Sequence, residues 1–139
     1  MKETLITFET AKLAYEKGYT REVVGISFTS TRRNYYNTQG ELNGDCTDFI
    51  KDVLKYGRDK AKINHILYPA TSQSLLQKWL RDVKDIYVNV ILGSYSTKQK
   101  VVKEFRVVIF SWETGEFHFN FFTYEEALEK GLQEALKLI

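Results

Sequence analysis

Arginine and lysine gather near aromatic rings at three places in this sequence, and that pairing is the chemistry of phosphate and base recognition. Arg32, Arg33, Tyr35 and Tyr36 form the first group, Lys51, Lys55, Arg58, Lys60 and Lys62 the second, and Lys98, Lys100, Lys103 and Arg106 the third. Cations hold phosphates and ring faces stack bases, so a strip of both would bind a nucleotide or a single strand. Asp52, Asp59 and Glu104 interrupt these groups, and none has the spacing of a named nucleic-acid module. The interruptions favour a solvated surface of mixed charge.

A second set of side chains alternates along two strand-like runs. His118 and Asn120 share a face of one run, and Tyr87 and Asn89 share a face of another. All four would meet on one side of a sheet and line a polar-aromatic pocket, if the N-terminal half left that side open. The ordinary alternative is a half-exposed sheet face, or a histidine and asparagine satisfied beneath other elements. Catalysis has one conceivable nucleophile pair, Cys46 with His65, and no local signature accompanies it. Two histidines and one cysteine make no zinc set. Asp45, Asp48 and Asp52 match neither a calcium loop nor a phosphate-binding loop. These residues point to a protein that binds without metal or cofactor and is not an enzyme.

The elements that must position these groups are plainest in the last third. Phe105 to Trp112 is apolar at most positions of both alternations, as in a central strand buried on two faces. Glu113-Thr114-Gly115-Glu116 is a short polar turn, so Phe117 to Phe122 should return antiparallel, with Phe117, Phe119 and Phe121 on the core side. Thr123-Tyr124-Glu125-Glu126 has capping-box spacing. The helix it opens carries an apolar stripe of Tyr124, Ala127, Leu128, Gly131, Leu132, Ala135, Leu136 and Ile139. Gly131 costs about 1 kcal/mol against alanine in a helix interior, so its place on the stripe predicts a close approach to a large residue, such as one of the phenylalanines.

Upstream, Thr7 caps a short helix ending at Gly18, with Phe8, Ala11, Ala14 and Tyr15 on its inner face. Val23 to Ser30 alternates as a strand, with Arg33 to Asn37 as its partner or a wet edge, and Gln39 to Asp45 is an exposed loop. Asp48 to Tyr56 is helical, Phe49, Ile50, Val53 and Leu54 sharing a face, and stops at Gly57. Thr71 or Ser72 caps a helix to about Lys84, its buried stripe being Leu75, Leu76, Trp79, Leu80 and Val83. Asp85 to Leu92 is a strand, and Gly93 to Lys100 reads as a polar, mobile hairpin loop. The order is helix, one or two strands, helix, helix, three strands, helix: an α+β fold with helices on one face of a mainly antiparallel sheet.

The chain has 139 residues, a formal charge of +2 and a single cysteine, Cys46. Its length suits one domain, the charge is too small to demand a polyanion, and a lone thiol suits a reducing cytoplasm. No run is long and apolar enough to span a bilayer, and the start is not a signal segment.

Three stretches, Leu5 to Ala14, Gln73 to Arg81 and Thr123 to Ile139, resemble small uncharacterised proteins common in phage and prophage genomes of gut bacteria. The resemblance covers roughly a third of the chain and rests on helix-packing patterns. The family pattern places proline directly before the capping threonine, whereas Ala70 separates Pro69 from Thr71 here. It implies an accessory phage role, such as binding a host protein or a small defence signal. The stretch from Thr20 to Tyr68 lies outside it and would hold what is specific to this protein. The order helix, three strands, helix over Thr71 to Ile139 also copies a double-stranded RNA-binding domain. That fold needs bases at the start of its last helix, and Glu125 and Glu126 stand there instead. Two readings follow. The first is a protein-interaction or inhibitor module that acts on a host or phage protein through the Thr20 to Tyr68 region and an exposed strand edge, which would also support a homodimer. The second is a nucleic-acid or nucleotide binder.

Overall fold

The computed structural model describes residues 3–19, 34–44, 47–57, 60, 66–96 and 101–139. These fall into two compact units, Thr7–Thr71 and a second made of Met1–Ile6 with Ser72–Ile139. The class is α+β, as the patterning predicts. Among the described residues there are four helices, one two-stranded sheet and one three-stranded sheet, both antiparallel. No described helix is long and apolar enough to cross a membrane.

In the Thr7–Thr71 unit, helix α1 (Phe8–Glu16) begins where the Thr7 hydroxyl accepts from the Thr10 amide, and it ends at Gly18, φ +100°. Ala11 and Ala14 are fully buried on its inner face. Phe8 meets the rings of Tyr36 and Tyr68 edge-on, each at 5.8 Å, and Tyr15 meets Tyr68 at 5.3 Å. Aromatic pairs in this geometry add to simple area burial. Strands β1 (Tyr35–Tyr36) and β2 (Tyr68–Pro69) pair antiparallel. The partner strand predicted over Arg33 to Asn37 is thus shorter, and it pairs with β2. Val23 to Ser30 lies outside the described residues. Helix α2 (Thr47–Tyr56) buries Phe49 and Val53 against Ile50 and Leu67. Leu54, placed on that face by spacing, is exposed instead.

The second unit runs α3 (Gln73–Lys84), β3 (Ile86–Ser96), β4 (Val101–Ser111), β5 (Gly115–Phe121) and α4 (Tyr124–Lys137). Ser72 caps α3 through the Leu75 amide, and Thr4 and Leu5 pair back onto Gln73 and Ser72. Leu76 and Leu80 are fully buried. Leu75 and Val83, expected on the same stripe, are exposed, Val83 by 60%. The buried side of α3 is turned toward Gln73 instead, whose amide donates to the Glu125 carbonyl and to Glu129 on α4. Gln77 donates from α3 to the Val88 carbonyl on β3.

The strand order is β3-β4-β5. Pairing of β3 with β4 continues from Ile86↔Ser111 to Ser96↔Val101. The stretch predicted as loop from Gly93 is therefore strand as far as Ser96, because ladder hydrogen bonds use only the backbone. Gly115, at φ +85°, turns β4 into β5. Thr123 caps α4 by accepting from the Glu126 amide at 3.2 Å. Ala127, Leu128, Gly131, Leu132, Ala135 and Leu136 are buried, as the stripe predicts, while Tyr124 and Ile139 at its ends are exposed. Each fully buried leucine stabilises the fold by about 1.5–3 kcal/mol. Gly131 is the close approach its position implies, but the neighbours are valines. A Cβ there would stand 2.9 Å from Cγ1 of Val88 and nearer still to Cγ2 of Val107.

Candidate functional site

Alternation and register together decide what the outer face of the three-stranded sheet carries. Ile86 and Val88 of β3 and Val107, Ile109 and Ser111 of β4 are buried. The intervening residues of each strand therefore lie on the opposite face. Three rows cross that face: Tyr87, Phe110 and Glu116; Asn89, Val108 and His118; Ile91, Arg106 and Asn120. The four polar residues expected to meet, Tyr87, Asn89, His118 and Asn120, do share this face, with Asn89 and His118 in one row. Asn89, Arg106, His118 and Asn120 are exposed, and Ile91 is 54% exposed. Val108 and Phe110 are half-buried and Arg106 is exposed, so β4 is not the doubly buried strand its composition suggested.

Local contacts hold these side chains in place. Nε of Arg106 donates to Oδ1 of Asn120 at 3.4 Å. Nε2 of His118 lies 2.6 Å from Oε1 of Glu116. At one end of the face the ring of Phe110 sits 6.4 Å from that of Tyr87 and 5.0 Å, edge-on, from that of Trp112. Trp112, just past β4, is 76% exposed. The Tyr87 hydroxyl donates to Asp85, and this bond to a carboxylate raises the phenol above its ordinary pKa. Asp85 itself adopts a left-handed conformation at the end of α3, φ 56°.

The basic groups fare differently. Arg32, Arg33, Lys98 and Lys100 lie outside the described residues, as do Cys46 and His65. Tyr35 is 6% exposed and its hydroxyl donates to the Gly44 carbonyl. It packs within its own unit and presents no ring for stacking, which corrects its place in the first basic-aromatic group. Tyr36 is half-buried, edge-on to Phe8. In the second group, Nζ of Lys55 and of Lys60 each stand 5.0 Å over the ring of Tyr56, so these cations cover a ring of their own unit. In the third, Lys103 opposes Ser94 while Arg106 opposes Ile91. An odd separation along a strand puts them on opposite faces, so they form no continuous cationic strip. Among the described residues no group of three or more His, Cys, Asp or Glu side chains is placed to hold a metal ion.

Sequence reasoning missed Ile91, Phe110, Trp112 and Glu116 as members of this face. Their signal was parity: Arg106, Val108, Phe110 and Trp112 are two apart, and the polar first member marks the wet side. Comparison with protein-family models, curated proteins and solved structures finds no match to this chain.

Proposed function

We propose that this chain is a non-enzymatic binding module that holds a protein partner on the outer face of its three-stranded sheet. The observation that carries the reading is the composition of that exposed face: an aromatic cluster ending in Trp112, an arginine, and the amides of Asn89 and Asn120 around half-buried Val108. Aromatic and arginine side chains set in a ring of polar groups are what protein interfaces concentrate at their centres. Glu104 and Glu116 share the face with Arg106, so a phosphate backbone laid across it would meet repulsion beside its one described arginine. This favours protein over nucleic acid. The target we propose is a host protein, inhibited or redirected by being held.

The test compares the wild-type chain with an Ile91→Glu/Arg106→Glu variant, both immobilised, in bacterial lysate with and without nuclease. Both positions are exposed but directly opposite each other on β3 and β4, so circular dichroism of the variant checks that the facing glutamates leave the fold intact. A protein retained by the wild type in either lysate and lost from the variant supports the reading. Retention that disappears with nuclease replaces it with nucleic-acid binding, and equal retention by both chains places the contact off this face.

A further inference from the structure

The aromatic end of the sheet face carries two carboxylates, Glu116 and Asp85, and that combination selects a kind of ligand. Tyr87 and Phe110 lie side by side with Glu116 in one row, Trp112 stacks edge-on to Phe110, and Asp85 accepts from the Tyr87 hydroxyl. Glu113 follows Trp112 in the turn. The α3 cation whose charge reaches Tyr87 is Arg81, and its Nε lies 3.4 Å from Oδ1 of Asp82, which offsets it. Nε2 of His118 contacts Oε1 of Glu116. What remains is an exposed indole face beside negative charge. A ring face attracts cations through its quadrupole, and the carboxylates add to the same preference.

We infer that this end of the face is a seat for a cationic side chain, lysine or arginine, carried by a basic segment of the partner protein. Trp112 supplies the ring over which the cation sits, and Glu116 and Asp85 supply the negative field. An anionic ligand would meet the Glu116 and Asp85 carboxylates there. The inference rests on the proposed protein-binding role of the sheet face and narrows it to a partner with a basic patch.

The probes are a capped oligolysine peptide and a capped oligoglutamate peptide, titrated calorimetrically into the intact chain. A parallel titration follows the two tryptophan indole signals by NMR. Oligolysine is expected to bind saturably, to shift the Trp112 indole and leave the Trp79 indole in place, and to weaken as salt rises. Trp112→Ala and Glu116→Gln, both at exposed positions, are expected to weaken it about two- to fivefold each. Oligoglutamate is expected not to bind. Absence of saturable binding, equal binding of the acidic peptide, or an affinity unchanged by Trp112→Ala overturns the inference. If it fails while Ile91→Glu/Arg106→Glu still releases a captured protein, the face binds protein by other chemistry. If neither variant set has an effect, the broader reading falls with it.

Discussion

Replacing Gly131 by alanine adds one methyl group at the point where α4 presses hardest on the sheet. That methyl would stand 2.9 Å from Cγ1 of Val88 and closer still to Cγ2 of Val107. Both valines are buried, on neighbouring strands, and their branched side chains are confined at χ1. Neither can swing aside cheaply, so α4 must lift from the sheet, at a cost of about 1–3 kcal/mol for such overpacking. Alanine also favours the helix by about 1 kcal/mol. The clash lies at the severe end, so the net loss should be about 1–2 kcal/mol, lowering Tm by roughly 3–8 °C. Urea unfolding followed by far-ultraviolet circular dichroism measures it as a lower midpoint at unchanged slope. Val107→Ala should cost less in the Gly131→Ala background than in the wild type, with a coupling of about 0.5–3 kcal/mol. A Gly131→Ala variant more stable than the wild type would show that helix propensity decides, and the close packing inferred here would be refuted.

Other outcomes follow from the same contacts. Thr123→Ala removes the acceptor for the Glu126 amide and should cost about 1 kcal/mol in the same unfolding assay, with Thr123→Ser restoring most of it. Leu76→Ala, at a fully buried position of α3, should cost about 2–5 kcal/mol. Lys130, hydrogen-bonded to Glu134, and Lys137 on its other side hold that carboxyl below the usual glutamate range. Because the folded pKa is the lower one, the contribution is present above the unfolded value and is lost as pH falls through the folded value. Glu134→Gln should therefore lose a few tenths of a kcal/mol at neutral pH and nothing in strong acid, as two unfolding series would show.

The helix caps were legible in the sequence because each is set by local chemistry. Thr7, Ser72 and Thr123 each accept from an amide three residues on, and the apolar stripe of α4 follows from spacing alone. What spacing could not supply was register. Whether Gly131 meets phenylalanine or valine depends on which residues of β3 and β4 stand opposite each other, a long-range property. The same gap hid the extension of β3 to Ser96, since polar side chains on a ladder look like a loop when the partner is unknown. Leu75, Val83 and Leu54 were assigned inward because they are apolar, yet helix orientation is fixed by the larger set of contacts. For the sheet face, parity alone grouped Tyr87 with Asn89 and His118 with Asn120. Joining the two pairs required the pairing of Asn89 with Val108 and of Val108 with His118.

The claim that the outer sheet face is the binding surface is tested most directly by a photo-cross-linking residue placed at Asn89, with the same residue at Lys137 on α4 as the comparison. Both positions are exposed, so neither substitution disturbs the core. In nuclease-treated lysate the chain labelled at Asn89 should form a covalent adduct with one protein, competed away by unlabelled wild type and not by the Ile91→Glu/Arg106→Glu variant. The chain labelled at Lys137 should form none. An adduct from Lys137 alone, or equal competition by the variant, would contradict the account.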